Sequence, residues 1–451
     1  MPIALIVLAA GQGTRMNSVL PKVLHKVGAA PLLHHALRAG QALGPDRVIV
    51  VAGHGAEGVT KAALDFDDTV IVVEQPERLG TAHAVAQALP ALTDATGDAV
   101  VLYGDTPFIR AETLEAMLAA RARYAVVVLG FQAADPGRYG RLITTGAMLD
   151  RIVEFKDATM AERGVTLCNS GVICADLALL ADLVAAVGND NASGEYYLTD
   201  IVGIARARGL SAGVVECDEA ETLGINTRAE LAGAEAAFQA RARADAFENG
   251  VSMTAPETVF FALDTFVGRD ALIGPNVIFG PRVTVETGAE IKGFCHLEGC
   301  HISRGAKVGP FARLRPGTEL SEDVHVGNFV EIKNSTLAEG VKVGHLTYLG
   351  DADVGEFTNI GAGTVTCNYD GVMKHKTTIG ARVFIGSDTM LVAPVSVADD
   401  AMTASGSVIT TDVPPGALAI GRARQENKHG LAIRMMERLR SIKASRQQGT
   451  K

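Results

Sequence analysis

Apolar residues are spaced in two ways along this chain, and the change falls near its middle. Before residue 227, short β-branched runs at 3–9, 47–52, 70–73, 99–103 and 125–131 alternate with stretches of helical spacing at 32–42, 81–89, 111–123 and 196–208. Strands alternating with helices predict a doubly wound α/β domain with a mainly parallel sheet. In such sheets ligands bind beyond the carboxyl ends of strands, which directs attention to "AAGQGTR", "YGDTP" and "CNSG". Residues 227–249 are rich in Ala, Glu and Arg, begin at a Thr cap and stop before Gly250, so they predict one connecting helix.

Past that helix the period becomes six. Val267, Ile273, Phe279, Val285, Ile291 and Leu297 fall six apart; after a one-residue slip Ile302, Val308, Leu314, Leu320, Val326 and Ile332 continue, and Ile379, Ile385, Leu391 and Val397 resume. Glycine follows many of them, as in "IGPNVI", "FGPRVT" and "IGSDTM", the hexapeptide signature of a parallel β-helix. Three hexads make a triangular coil of 18 residues, each aliphatic side chain stacking on the coil below. Ile360 and Ile379 are 19 apart, and the segment between them, "GAGTVTCNYDGVMKHKTT", is rich in Asn, Lys and Tyr, so a projecting loop is expected there.

At 451 residues the chain is long for one core, and two domains are expected. A net charge of −10 with 48% hydrophobic residues fits a soluble protein and argues against nucleic-acid binding. Cys168, Cys174, Cys217, Cys295, Cys300 and Cys367 form no C-x-x-C pair and no zinc spacing, which suits a reduced, cytoplasmic setting. The most apolar long stretch, 172–187, is broken by Asp176 and Asp182, so no membrane insertion is expected.

Candidate chemistry begins where the first apolar run passes into "AAGQGTRM". No Lys or Arg precedes Arg15, which argues against a signal peptide; Met16 stands where G-x-G-x-x-G needs its third glycine, and a P-loop's Gly-Lys-Ser/Thr is absent. Gly11 and Gly13 followed by Arg15 and Lys22 admit a phosphate site, and spacing alone leaves an ordinary strand-to-helix turn open. Asp105 is placed either to meet Mg²⁺ at phosphate oxygens or to form an Asx turn before Pro107. His345 offers an imidazole, a side chain type suited to general-base work, yet a lone histidine on a β-helix face is commonly a surface residue.

Taken in order, "LAAGQGTRM", "LPKVLH", "YGDTP", "NSGV", "GEYYLTDI", "GINTRAEL", "PFARLRPG", "GNFVEIKNS", "GHLTYLGDA" and "NIGAGTVTCNYDG" resemble the bifunctional bacterial N-acetylglucosamine-1-phosphate uridyltransferase/glucosamine-1-phosphate acetyltransferase family over essentially the whole chain. The resemblance implies a Rossmann-like uridyltransferase domain over 1–226, the connecting helix at 227–249, and over 250–451 a left-handed β-helix acetyltransferase with a basic tail, assembled as a homotrimer. It implies acetylation of glucosamine 1-phosphate by acetyl-CoA, then transfer of UMP from UTP to N-acetylglucosamine 1-phosphate with release of pyrophosphate and Mg²⁺ as cofactor. The product, UDP-N-acetylglucosamine, supplies peptidoglycan and, where present, lipopolysaccharide. The alternative, a sugar-1-phosphate nucleotidyltransferase with a regulatory β-helix, needs neither His345 nor the "CNYDG" loop, and both are present.

By the same resemblance Leu8, Ala9, Ala10, Gly11, Tyr103 and Gly104 contact the nucleotide, Arg15 and Lys22 meet its phosphates, and Gln75, Gly80 and Thr81 hold the uracil. Asp105 and Asn226 bind the metal, while Gly140, Glu154 and Asn169 hold the sugar phosphate. In the second domain His345 is the base with Glu331 a candidate to orient it, Arg315, Lys333, Tyr348 and Asn359 hold the sugar phosphate, and Ala362, Asn368, Tyr369, Ser387, Ser405 and Arg422 hold acetyl-CoA. Gln12 stands where the family often has Lys, and with Arg15 and Lys22 retained a tuned rather than abolished activity is expected; Ser405 stands where the family often has Ala, a small change for a mainly backbone contact. From Arg422 onward nine Lys/Arg accompany Glu426 and Glu437; the family's corresponding segment reaches a neighbouring subunit's site, which favours Arg422 over the terminal "SRQQGTK".

Overall fold

Residues 2–448 are described by the structure, a computed structural model; 449–451, the end of "SRQQGTK", lie outside the described residues. The chain divides into two compact units, the first running to Arg269 and taking in Gly274–Thr284, the second comprising Asp270–Ile273 and the residues from Val285 onward.

In the first unit β1 (Ile3–Ala9), β2 (Arg47–Ala52), β3 (Ile71–Glu74), β4 (Asp98–Tyr103) and β5 (Val126–Gln132) fall within one or two residues of the apolar runs. The hairpin β6 (Arg141–Thr145) and β7 (Met148–Val153), the long β8 (Leu167–Asp176) and β9 (Ala212–Cys217) complete a sheet ordered β9-β5-β8-β4-β1-β2-β3, with β6 pairing β8 and β7. β8 runs antiparallel to β4 and β5, and β1, β2, β3 and β4 are mutually parallel. Successive side chains point to opposite faces, and on β1 Ala4, Ile6 and Leu8 enter one buried cluster while Leu5, Val7 and Ala9 enter another. Both faces are therefore covered, by helices that include α1 (Leu32–Gln41), α2 (Ala56–Phe66), α3 (Thr81–Ala88), α4 (Ala111–Ala120), α5 (Leu177–Ala185) and α6 (Asp200–Ala207).

The apolar stretch 172–187 is the end of β8 followed by α5, and the interrupting Asp176 caps that helix by accepting from Leu179 N at 3.0 Å. α7 (Arg228–Glu248) starts at Thr227 with a full capping box, Thr227 Oγ1 accepting from Glu230 N and the Glu230 carboxylate from Thr227 N. No helix among the described residues is long and apolar enough to cross a membrane.

The second unit is a stack of coils. Leu272–Ile273, Glu290–Ile291, Lys307–Val308, His325–Asn328, Lys342–His345 and Asn359–Ile360 form successive rungs of one parallel sheet, and two further parallel sheets share the same coils. This is a parallel β-helix. All sixteen hexad residues named from the sequence are buried, none more than 9% exposed. The expected loop is present: after Val365–Cys367 the chain leaves the coil, Tyr369 and Lys374 bridge antiparallel, and it rejoins at Thr377–Ile379. From Leu431 to Gln448 the basic tail forms a helix, α8.

Coil stacking sets backbone against backbone. A Cβ on Gly327 would run into Gly344 O on the next coil. Gly327→Ala is therefore expected to destabilise the second unit by roughly 1–3 kcal/mol. Urea unfolding followed by hydrogen exchange in that unit reads this out, and an unchanged midpoint contradicts the close approach.

Candidate functional site

In the first unit the carboxyl ends of β1, β2, β3 and β4 open on one edge. Gly104 N donates to Leu8 O at 2.9 Å and Gln75 N to Ala52 O at 2.8 Å, which ties the loops after these strands together. The "AAGQGTRM" loop ends in a single 3₁₀ turn, Thr14–Met16, anchored by buried Met16 and leaving Arg15 exposed. Gly13 is in the left-handed region at φ 65°, and a Cβ there would lie 2.5 Å from Lys22 Cβ, so glycine lets the two segments meet.

Lys22 Nζ donates to Asp105 Oδ2 and, at 3.1 Å, to Asn226 Oδ1. A chain separation of 204 residues thus closes to one point, where two oxygens converge on a positive charge. Ile225 N donating to Asp105 O at 3.1 Å and the capping box of α7 hold Asn226 in place. Asp105 consequently faces a cation.

The remaining first-unit residues gather nearby. A Cβ on Gly140 would lie 3.5 Å from Glu154 Oε1 and 3.6 Å from Asn169 Cβ, so these three share one surface. Burial pushes the Glu154 carboxyl above its usual range, opposed by a hydrogen bond from Thr199 Oγ1 at 3.2 Å and aided by Asp200 and Asp157. Tyr103 is raised by burial and by Glu154, with its hydroxyl hydrogen-bonded to Thr81. Gly80, at φ 120°, is a position only glycine fills, because a Cβ would strike Tyr196 O. Sequence reasoning missed Arg78: its Nη1 donates to Gln12 Oε1 at 2.5 Å, so a cation stands beside the loop although position 12 is not itself charged.

In the second unit one residue per coil forms a column. Asn328 is in register with His345; Gly363 N donates to Leu346 O, Asp388 N to Ala362 O and Gly406 N to Ser387 O, which continues the column through Ala362, Ser387 and Ser405. A Cβ on Gly406 would lie 3.8 Å from Arg422 Cδ, which places Arg422 beside Ser405. His345 Nδ1 is 2.5 Å from Asn328 Oδ1. Glu331, the sequence candidate for orienting His345, lies beyond the corner at Phe329, on the adjacent face, and pairs with Arg315 at 2.8 Å and Arg313 at 3.8 Å. Asn328, not Glu331, is the side chain that meets His345, and its spacing of 17 residues, one coil, was the signal that could have found it.

On that adjacent face Lys333 lies one coil above Arg315, and Gly350 leaves room for Tyr348 Oη and Asn368 Nδ2 to approach one another. Asn368 donates to Asp351, while Tyr369 is exposed on the loop and donates to Gly371 O at 2.6 Å. Lys374, also on the loop and unassigned from the sequence, holds Lys333 below the ordinary lysine range by contact and charge repulsion, with desolvation and Arg315 adding to the effect. Three cations sharing one face suit a phosphate. Asn359, in the rung above Lys342, is on the face of the His345 column.

Fold and sites together define a nucleotidyltransferase unit joined in one chain to a hexapeptide-repeat β-helix. Residues 5–168 match the MobA-like NTP transferase domain. The bifunctional protein GlmU of Cereibacter sphaeroides is 75% identical over 448 residues, covering 99% of both chains. Those of Paracoccus denitrificans and Ruegeria sp. are 67% and 64% identical, over at least 98% of each chain. The chain belongs to the GlmU family.

Glu154 generates a pH prediction. A carboxyl with a raised folded-state pKa favours folding when protonated, so its contribution is fully present below the ordinary glutamate value and lost as pH rises through the folded-state value. Glu154→Gln should raise the thermal midpoint of the first unit at pH 7, with the gain vanishing in acid; calorimetry across pH tests this, and a pH-independent gain contradicts the burial argument.

Proposed function

We infer that this chain is a bifunctional enzyme of UDP-N-acetylglucosamine synthesis. It acetylates glucosamine 1-phosphate with acetyl-CoA and then transfers UMP from UTP to N-acetylglucosamine 1-phosphate, releasing pyrophosphate. The observation that carries the reading is the His345–Asn328 pair, standing in one column with Ala362, Ser387 and Ser405, in the chain that also brings Lys22, Asp105 and Asn226 to one point.

In the acetyl transfer, Asn328 Oδ1 accepts from Nδ1–H and so fixes the tautomer that leaves the lone pair of Nε2 free. The free amine of the sugar attacks the thioester carbonyl, Nε2 takes the proton the nitrogen sheds, and the departing thiolate recovers it. Arg315, Lys333 and Lys374 supply the charge for the substrate phosphate. Asn359 and Tyr348 position the sugar, and Asn368, Tyr369 and Arg422 join the column residues in holding acetyl-CoA.

In the uridyl transfer, a sugar-phosphate oxygen attacks the α-phosphorus of UTP, and positioning with charge neutralisation supplies most of the catalysis. Leu8, Ala9, Ala10, Gly11, Tyr103 and Gly104 bound the nucleotide, Arg15 and Lys22 face its phosphates, Gln75, Gly80 and Thr81 take the uracil, and Gly140, Glu154 and Asn169 take the sugar phosphate. Asp105 and Asn226 would hold Mg²⁺: both offer hard oxygens, and a cationic ammonium already stands between them. When bound, the ion neutralises charge on the phosphate oxygens. A cytoplasmic homotrimer belongs to the same reading, with six free cysteines fitting a reducing compartment.

Two variants separate the activities. Asp105→Ala should lower uridyl transfer by about 10²-fold or more while leaving acetylation intact; a normal rate of UDP-N-acetylglucosamine formation from the acetylated sugar phosphate overturns the assignment. Purified His345→Ala should lose about 10²–10⁴-fold in acetylation with uridyl transfer unchanged. Acetylation within a few-fold of wild type across pH means that His345 is an ordinary surface histidine.

A further inference from the structure

We propose that His83 is a positioning residue that sets the base specificity of the nucleotide site by locking the orientation of the Gln75 amide. The inference rests on the reading that Gln75 faces the uracil. Gln75 follows β3 directly and is buried, 5% exposed. Its Nε2 lies 3.1 Å from Gly80 O and 3.0 Å from His83 Nδ1.

A backbone carbonyl can only accept, so the amide end that faces Gly80 O is the NH₂ and not the oxygen. One of its hydrogens goes to Gly80 O and the other to His83 Nδ1, which must then be unprotonated. His83 accordingly carries its hydrogen on Nε2, 3.2 Å from the Gln87 amide. A half-turn of the partly buried Gln87 side chain presents its oxygen there, giving up the 3.3 Å hydrogen bond that Gln87 Nε2 donates to His83 O in exchange for the one from His83 Nε2. With both hydrogens used, Oε1 is the only group Gln75 can offer to a base, and among the described residues nothing donates to it.

An acceptor at that position selects a donor. Uracil presents N3–H, whereas cytosine presents a bare N3, so a locked Oε1 accepts the first and repels the second. Without His83 the amide holds only one of its two anchors and can turn its NH₂ to the base. His83 is on α3, two residues after Thr81, and does not touch the base in this scheme. It acts through Gln75.

The test compares kcat/KM for UTP and CTP in the full-length protein and in His83→Leu, His83→Asn and Gln75→Ala, with acetyltransferase rate and circular dichroism confirming the fold. Asn places its Oδ1 where His83 has Nδ1 and so retains the acceptor. We expect His83→Leu to lower the UTP/CTP preference about tenfold or more through KM for UTP with kcat nearly unchanged, and His83→Asn to stay near wild type. A preference retained in His83→Leu but lost in Gln75→Ala overturns the role of His83 alone. Equal loss in His83→Leu and His83→Asn also overturns it, because packing and not the acceptor is then responsible. Retention in Gln75→Ala removes the uracil reading of Gln75, and this inference with it.

Discussion

Each coil of the β-helix must lie within backbone hydrogen-bonding distance of the next while its aliphatic side chain leaves water. Those two demands fix the repeat length and hold every third face in register, so that a residue's place in its hexad decides its position in space. The column Asn328, His345, Ala362, Ser387 and Ser405 follows from this: side chains one coil apart in sequence are neighbours about 4.8 Å apart in the sheet direction. His345, the Asn328 that meets it, and Ala362, Ser387 and Ser405 are thereby placed by stacking, whereas Asn368 and Tyr369 ride on the projecting loop. The cost falls at the corners, where Phe311, Phe329 and Leu346 adopt left-handed backbone. Phe311 and Phe329 recover part of it by stacking, their centroids 5.2 Å apart.

The first unit positions its chemistry by convergence. Parallel strands end on one edge, and the loops that follow them bring Lys22, Asp105 and Asn226 together over most of the unit's length. The arrangement is electrostatic as well as geometric: an ammonium held between two oxygens keeps a partly buried carboxylate satisfied and leaves a point that suits a hard cation. Glu154 shows the opposite choice. Its carboxyl sits where water is scarce, which disfavours its charge, and a residue kept there against stability is consistent with a substrate contact. Arg78 shows how local charge can be relocated: the cation missing at Gln12 is supplied by a different loop.

Most of the fold was legible in the sequence. The stretches 111–123 and 196–208 overran α4 by three residues at its end and α6 by four at its start, and α2, α5 and β9 went unread. Strands β1 to β5, α1, α3, α7, the coils and the projecting loop, whose periods of two, 3.6 and six each correspond to one geometry, were found within a residue or two. The long β8 and the hairpin β6–β7 were not. The run 167–176 continues into the helical apolar pattern of α5, and no change of period marks the boundary. β8 also carries a bulge between Asn169 and Ile173 that breaks its alternation.

The sequence by itself determined which side chains are inside, because burial of aliphatics at a fixed period leaves one way to close each unit. It also placed candidate residues through ordered motifs whose order survives in the chain. Only the tertiary structure decided which polar groups meet. Asn328 rather than Glu331 faces His345 because a corner sends position 331 to another face. Lys374 joins Lys333 because a loop folds back on its coil, and His83 meets Gln75 because a strand end and a helix start share one edge. Hydrogen bonds and charge pairs act over a few ångströms in a direction fixed by both backbones, and no periodicity along a single chain encodes that direction.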